Sequence, residues 1–375
     1  MRRVEGASRL LRDLVLVVCG ALVSPSQCIR DRFGRSIRDR FGRSIRDRQP
    51  NRRAAIRDRQ PNRRAAIRDR QPNRRAAIRD RQPKRLDRST PEGEQKYLIQ
   101  RNTLIAFANL GESVEMTVFT DSPQIQALCA ELAPSVVCSS NFRTNSHGTP
   151  VLKSMYLHIE NATAAPFYGY VNADIIFTDA LLKALRAVQR GIHEGVLHRR
   201  VLVVGKRTNF EMPFPLTMSS PMVLNRSSGP SVIDKMAARG KVFQPDAEDF
   251  FFVHRNSLDW SQIADFVIGR VAYDNWLVDH AFHQGLDRVD VTNTVHAVHQ
   301  TGHDGNMAGH TPRVDSNWNK DLATKHGGGY DHGTTDHGNF ETRWHGPEMH
   351  LIARPQWHAK NRDELLEQQQ SMREA

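Results

Sequence analysis

From Ser89 onward the apolar positions of this chain switch repeatedly between a period of two and a period near 3.6. Residues 96–109 have helical spacing and end just before Gly111, which suits a helix C-cap. Residues 114–120 alternate as a strand. Residues 124–132 predict a helix, 135–138 a short strand, and 148–164 contain a further helix. Residues 168–177, Tyr-Gly-Tyr-Val-Asn-Ala-Asp-Ile-Ile-Phe, are almost continuously apolar, the mark of a strand buried on both faces. A helix over 179–189 and a strand over 200–206 follow. Residues 246–253 predict a strand led by three acids, 268–278 run from a turn into a helix, and 289–292 and 296–299 are short strands. Strands alternating with helices predict an α/β fold around a mainly parallel central sheet. After Thr311 the chain is rich in Gly, His and Asn with weak apolar periodicity, and 363–374 read as a polar helix or frayed tail.

The N-terminus adds two features. Arg2, Arg3, Arg9 and Arg12 precede an apolar run over residues 14–23. At about ten residues, the run is half of the roughly 20 that a spanning helix needs. It fits a signal-peptide core, with residues 1–28 as the leader and the secretory pathway (ER or Golgi lumen) as the destination. A short amphipathic helix on a cytoplasmic protein is the alternative. Residues 29–88 are tandem repeats: Ile-Arg-Asp-Arg-Phe-Gly-Arg-Ser twice, then Ile-Arg-Asp-Arg-Gln-Pro-Asn-Arg-Arg-Ala-Ala three times and a degraded fourth copy. A Pro in every longer copy and little apolar content predict disorder. The net charge of +12 is located here: 29–88 hold 23 Arg or Lys against 7 Asp, so the remainder carries −4. Nucleic acid is therefore not an expected partner of the body, and only 29–88 could bind RNA or another anionic surface. The organisation expected is a leader (1–28), Arg-rich repeats (29–88), a globular domain (89–310) and a Gly/His-rich extension (311–375).

Among candidate chemical groups, Asp174 interrupts the apolar run at 168–177. A carboxylate there needs a partner, either a divalent cation or the start of the helix near Asp179. His299 ends another apolar strand, and Asp with His is a reasonable donor pair for manganese. Asp274 opens a helix, where it serves either the helix dipole or an acceptor hydroxyl as general base; Asp249 and Glu248 compete for that role. Lys206 and Arg207 follow a strand and could neutralise phosphate oxygens. Of 17 His, 12 lie from His280 onward. His303, His310, His326, His332 and His337 lack ligand spacing and read as solvated loop residues, with His-rich metal sequestration as the other reading. Cys129 and Cys138 are either a disulfide or two buried thiols.

Five segments occur in an order that carries a resemblance: Tyr-Val-Asn-Ala-Asp-Ile (170–175), Val-Gly-Lys-Arg-Thr (204–208), Ala-Glu-Asp-Phe-Phe (247–251), Ile-Gly-Arg-Val-Ala-Tyr-Asp-Asn-Trp-Leu (268–277) and Ala-Val-His-Gln-Thr-Gly (297–302). Over roughly 89–310 the chain resembles the nucleotide-diphospho-sugar transferase superfamily of GT-A fold, within it an uncharacterised glycosyltransferase group. The resemblance implies a Rossmann-like domain that binds a nucleotide-sugar donor and a divalent metal, often manganese. The family's Asp-x-Asp motif is here Asn172-Ala173-Asp174, so Asp174 takes the metal role and Asn172 offers a neutral oxygen. His299 matches the later metal-binding His, and Asp274 the acid of the acceptor side. The family's fold opens with an apolar strand before the first helix. Ser89-Thr90-Pro91 match the end of that strand, while the strand itself is missing and the repeats take its place.

The expected activity is metal-dependent transfer of a sugar from a nucleotide-sugar to a hydroxyl acceptor, a glycan or other. Asp274 or Asp249 serves as base, Asn172, Lys206 and Arg207 help hold the donor, and Asp174 and His299 hold the metal. The missing strand keeps a second reading open, a catalytically impaired sugar-nucleotide-binding domain with an Arg-rich tail.

Overall fold

The computed structural model describes residues 14–19, 87–306, 308–327 and 331–355, the first six and Ala308 by backbone alone. The disorder expected for the repeats and the helix or tail expected at 363–374 fall outside the described residues, except for Asp87 and Arg88.

The strands are β1 (Leu14–Cys19), β2 (Val114–Phe119), β3 (Val136–Ser139), β4 (Phe167–Asn172), β5 (Ile175–Ile176), β6 (Val201–Val204), β7 (Arg207–Glu211), β8 (Lys241–Val242), β9 (Phe250–His254), β10 (Asp287–Asp290), β11 (Ala297–Thr301), β12 (Phe340–His345) and β13 (Glu348–Ala353). The helices are α1 (Pro91–Ala108), α2 (Pro123–Leu132), α3 (Leu152–Ala162), α4 (Ala180–His193), α5 (Pro230–Arg239), α6 (Tyr273–His283) and α7 (Trp318–Lys325). Among the described residues, none of these helices is long and apolar enough to cross a membrane.

A nine-stranded sheet has the order β13-β12-β10-β6-β9-β4-β1-β2-β3. Its β3-β2-β1-β4 part is parallel throughout and repeats the order of one half of a doubly wound sheet. β9 then runs antiparallel to both β4 and β6, and β13 antiparallel to β12. The sheet is therefore mixed, with five of its eight pairings parallel.

The missing first strand is present. The apolar run beginning at Leu14 supplies β1, parallel to β2 and β4, with Val17 opposite both Thr117 and Tyr170. Arg residues followed by a short apolar run suit a leader and a strand alike, and here the run pairs as a strand of the sheet. The ground for reading the site as incomplete is removed.

Side chains alternate across the sheet. Val203 of β6 and Phe250 and Phe252 of β9 join the cluster under α1, α2, α4 and α5. Tyr168 and Tyr170 of β4, Leu202 and Val204 of β6, and Phe251 and Val253 of β9 join the cluster under α3, α6 and α7. Burial on both faces explains why these strands read as continuous apolar runs. Gly169 is required by the close approach of β9: a Cβ there would lie 2.4 Å from the Phe251 carbonyl oxygen and 2.4 Å from the Phe252 ring.

Two further departures matter. The run at 168–177 is not one strand, because it breaks after Asn172 and resumes as β5 in a second, four-stranded sheet of order β5-β11-β7-β8. The folded body also continues past 310, since α7 and the β12–β13 hairpin belong to it. Cys129 and Cys138 form a disulfide with Cα atoms 5.8 Å apart.

Candidate active site at the junction of the two sheets

Asp174 sits on the turn where the chain leaves the large sheet for the small one. In the small sheet Ile175 pairs with His299. Gln300 holds the turn, its backbone N–H donating to the Asp174 carbonyl at 2.9 Å and its side-chain amide donating to the same oxygen at 3.2 Å. Gln300 Oε1 in turn accepts from the Asn102 side-chain amide of α1 at 2.8 Å. This buried polar network brings Asp174 Oδ2 to 3.4 Å from His299 Nε2. The Thr301 hydroxyl lies 3.1 Å from Nδ1 on the other side of the ring. The Asp174 side chain is 40% exposed, yet its Oδ1 is sealed and has no hydrogen-bond partner.

Burial would raise the Asp174 pKa, but His299, Arg207 and Lys96 outweigh it and hold the carboxyl below its ordinary value. Burial would lower the His299 pKa, and the charges of Asp174 and Asp249 raise it above the ordinary imidazole value. The two residues are a coupled ion pair. Lys96, on α1, was not found in the sequence reading. Its only signal is its place near the start of a helix whose partner in the fold is a distant strand.

Asn172, Asp249 and Arg207 form a second chain of contacts. The Tyr170 hydroxyl donates to Asn172 Oδ1 at 2.6 Å, and Asn172 Nδ2 donates to Asp249 Oδ1 at 2.5 Å. Buried Arg207 pairs with the other Asp249 oxygen, donates to the Asn306 carbonyl at 3.3 Å, and stacks over the Phe243 ring at 4.6 Å. The neutral oxygen expected of Asn172 as a donor group thus already accepts a hydrogen bond, and Asp249 is held by an amide and a guanidinium. Lys206 turns elsewhere, its ammonium 2.8 Å from Asp336 Oδ1 on the loop before β12.

Asp274 stands in the first turn of α6. The residue before the helix, Ala272, has a φ of 89°, a left-handed conformation that costs a residue with a Cβ about 1–2 kcal/mol. A buried pair holds the preceding loop, with Arg270 2.7 Å from Asp315. Burial pushes the Asp274 carboxyl up to about 7, reinforced by the charges of Asp249 and Asp246 and opposed by the Asn275 N–H, 3.1 Å from its Oδ1. Glu248 is fully buried, and neither of its carboxyl oxygens has a partner beyond its own residue. Burial and then the Asp274 charge hold it well above the usual carboxylate range. Asp249 acts electrostatically on both His299 and Asp274, so it links the two halves of the site.

This arrangement tests the fit of a divalent cation. A sealed Asp174 oxygen with no partner, beside an imidazole whose other nitrogen meets a hydroxyl, is a donor set that suits one. Neither protein-family profiles nor curated proteins give a match to the chain. Among solved structures, CMP:2-keto-3-deoxy-manno-octonic acid synthetase complexed with CTP aligns over 45% of this chain and 68% of its own, at 10% identity and a TM-score of 0.24. That likeness is too slight to carry an argument about this chain.

Proposed function

We propose that the chain is a glycosyltransferase that uses a nucleotide-sugar donor, a divalent metal such as manganese and a hydroxyl acceptor. The observation that carries this reading is the Asp174–His299 pair, with an unpartnered Asp174 oxygen, on the turn between the two sheets. Asp174 and His299 would hold the metal, which when bound neutralises diphosphate charge. Arg207 and Lys96 supply fixed positive charge beside it. Asp274 takes the proton from the acceptor hydroxyl, because a carboxyl with a pKa of about 7 is half ionised at neutral pH and still a useful base. Asp249 serves this site as a positioning residue that fixes Asn172 and Arg207, and is not the base.

The test is a calorimetric screen of nucleotide-sugars with and without Mn2+. Binding that needs the metal and disappears in Asp174→Ala is the expected result. Equal binding with and without the metal, or none to any nucleotide-sugar, would refute the reading.

A further inference from the structure

We propose that Asp279, His283 and His332 form a separate metal site, one for a borderline cation such as Zn2+, which clips the loop at 331–337 to α6. Asp279 and His283 are four residues apart on α6 and so share one face. The Asp279 side chain is 1% exposed, and its Oδ2 has no hydrogen-bond partner. A buried carboxylate oxygen in that state calls for a cation. His283 Nε2 lies 3.5 Å from Asp279 Oδ2, and His332 Nδ1 lies 3.5 Å from Asp279 Oδ1. All three donor atoms fall within 4.8 Å of one another. In a tetrahedral zinc site with bonds of about 2.1 Å, neighbouring donors stand about 3.4 Å apart.

The ligands are already oriented. The His332 backbone N–H donates to Asp279 Oδ1 at 3.1 Å, and its ring stacks on Phe282 at 3.7 Å with planes 1° apart. His332 is therefore no solvated loop residue; the sequence could not reveal this because its partners lie on α6. The cation already acting on Asp279 is buried Arg288, but it donates to the carbonyls of Leu286 and His337 and leaves Asp279 Oδ2 without a hydrogen bond. Two imidazoles and one carboxylate favour Zn2+ or Co2+ over Mg2+ or Ca2+, which prefer oxygen donors.

The clip has a consequence for the loop. Asn275 of α6 donates to the Gly333 carbonyl at 2.9 Å, and Asp336 on the same loop pairs with Lys206. A metal on His332 would fix the loop that holds Lys206 beside the buried Arg207.

The test uses the full chain, stripped with chelator and titrated with Co2+ by visible absorption and with Zn2+ by calorimetry. Wild type should bind one equivalent with tetrahedral Co2+ bands, and Asp174→Ala should keep it. His283→Gln, at a side chain 38% exposed, should fold normally and weaken binding at least tenfold. Asp279→Asn should abolish it. Zn2+ should also slow hydrogen exchange at 331–337 in wild type and not in His283→Gln. Equal affinity in wild type and His283→Gln would assign the metal to other histidines and overturn the proposal. Absence of the tetrahedral bands in wild type, or of the loop protection, would overturn it as well.

Discussion

Asp174 and His299 meet at 3.4 Å because β5 and β11 pair antiparallel, with Ile175 opposite His299. The contact is set by backbone register. The hydrogen bonds that hold the turn reach the Asp174 carbonyl and not its carboxylate. Asp174→Ala should therefore leave the turn intact and change stability by no more than about 1 kcal/mol, the usual scale for a partly exposed ion pair. It should abolish metal-dependent nucleotide-sugar binding. His299→Ala should weaken metal binding too, with a larger stability loss because the imidazole is buried. Calorimetry with Mn2+ and thermal unfolding of both variants check this, and unchanged manganese dependence in either would remove that residue from the ligand set.

Asp274 gives a pH prediction. Its folded pKa of about 7 lies above the ordinary 3.8, so the folded state holds a proton that the unfolded state has lost. Stability should fall as pH rises from about 4 to about 7 and level off above that. Asp274→Asn should flatten the slope and make the protein more stable than wild type at pH 8, by up to a few kcal/mol. Activity should move the other way, rising through pH 7 as the base ionises. Opposite pH trends for unfolding temperature and turnover are the signature, and an activity that is flat between pH 6 and 8 would exclude Asp274 as the base.

The parts of this design that could be read from the sequence are those whose signal is local. Helices α2, α3, α4 and α6 and strands β2, β3, β6, β9, β10 and β11 lie where the apolar periods predict, while β7, α5 and β8 have no such counterpart; Asp174 and His299 stand out as polar residues in apolar runs. The break after Asn172 could not be read, because a run buried on both faces has no period to interrupt. Lys96 and His332 reach their partners only through tertiary packing. The hairpin of β12 and β13 lies at the sheet edge, where Arg343, Trp344 and His345 are exposed and the pattern of buried positions is weak. The sequence singled out Asp249 as a candidate, but its contacts with Asn172 and Arg207 arise only through the fold.

The Cys129–Cys138 bond ties α2 to β3 across a sequence separation of nine. Closing so short a loop constrains the unfolded chain by about 2–3 kcal/mol in the chain-entropy account. Reduction, or Cys138→Ser, should lower the unfolding temperature by several degrees. Nucleotide-sugar binding should persist, since neither cysteine touches the site. Mass spectrometry under non-reducing conditions should show one bond, and two free thiols in the oxidised protein would contradict it.

The last prediction concerns β1. Its strand lies between β2 and β4 at the point where the parallel half of the sheet begins, and Val17 pairs with Thr117 on one side and Tyr170 on the other. A proline at that position has no N–H for the ladder and fits poorly in a strand paired on both edges, a cost of about 3 kcal/mol or more. Folded proteins have only about 5–15 kcal/mol in total. Val17→Pro should therefore give a chain with little cooperative unfolding by circular dichroism. Deleting residues 1–28 should do the same, because β2 and β4 would each be left with an unpaired edge inside the sheet. If the sheet needs this segment, the mass of the protein isolated from cells should include Leu14–Cys19. If a chain starting at residue 29 unfolded at the same temperature as the full one, β1 would not be a member of the sheet and the apolar run would revert to a leader.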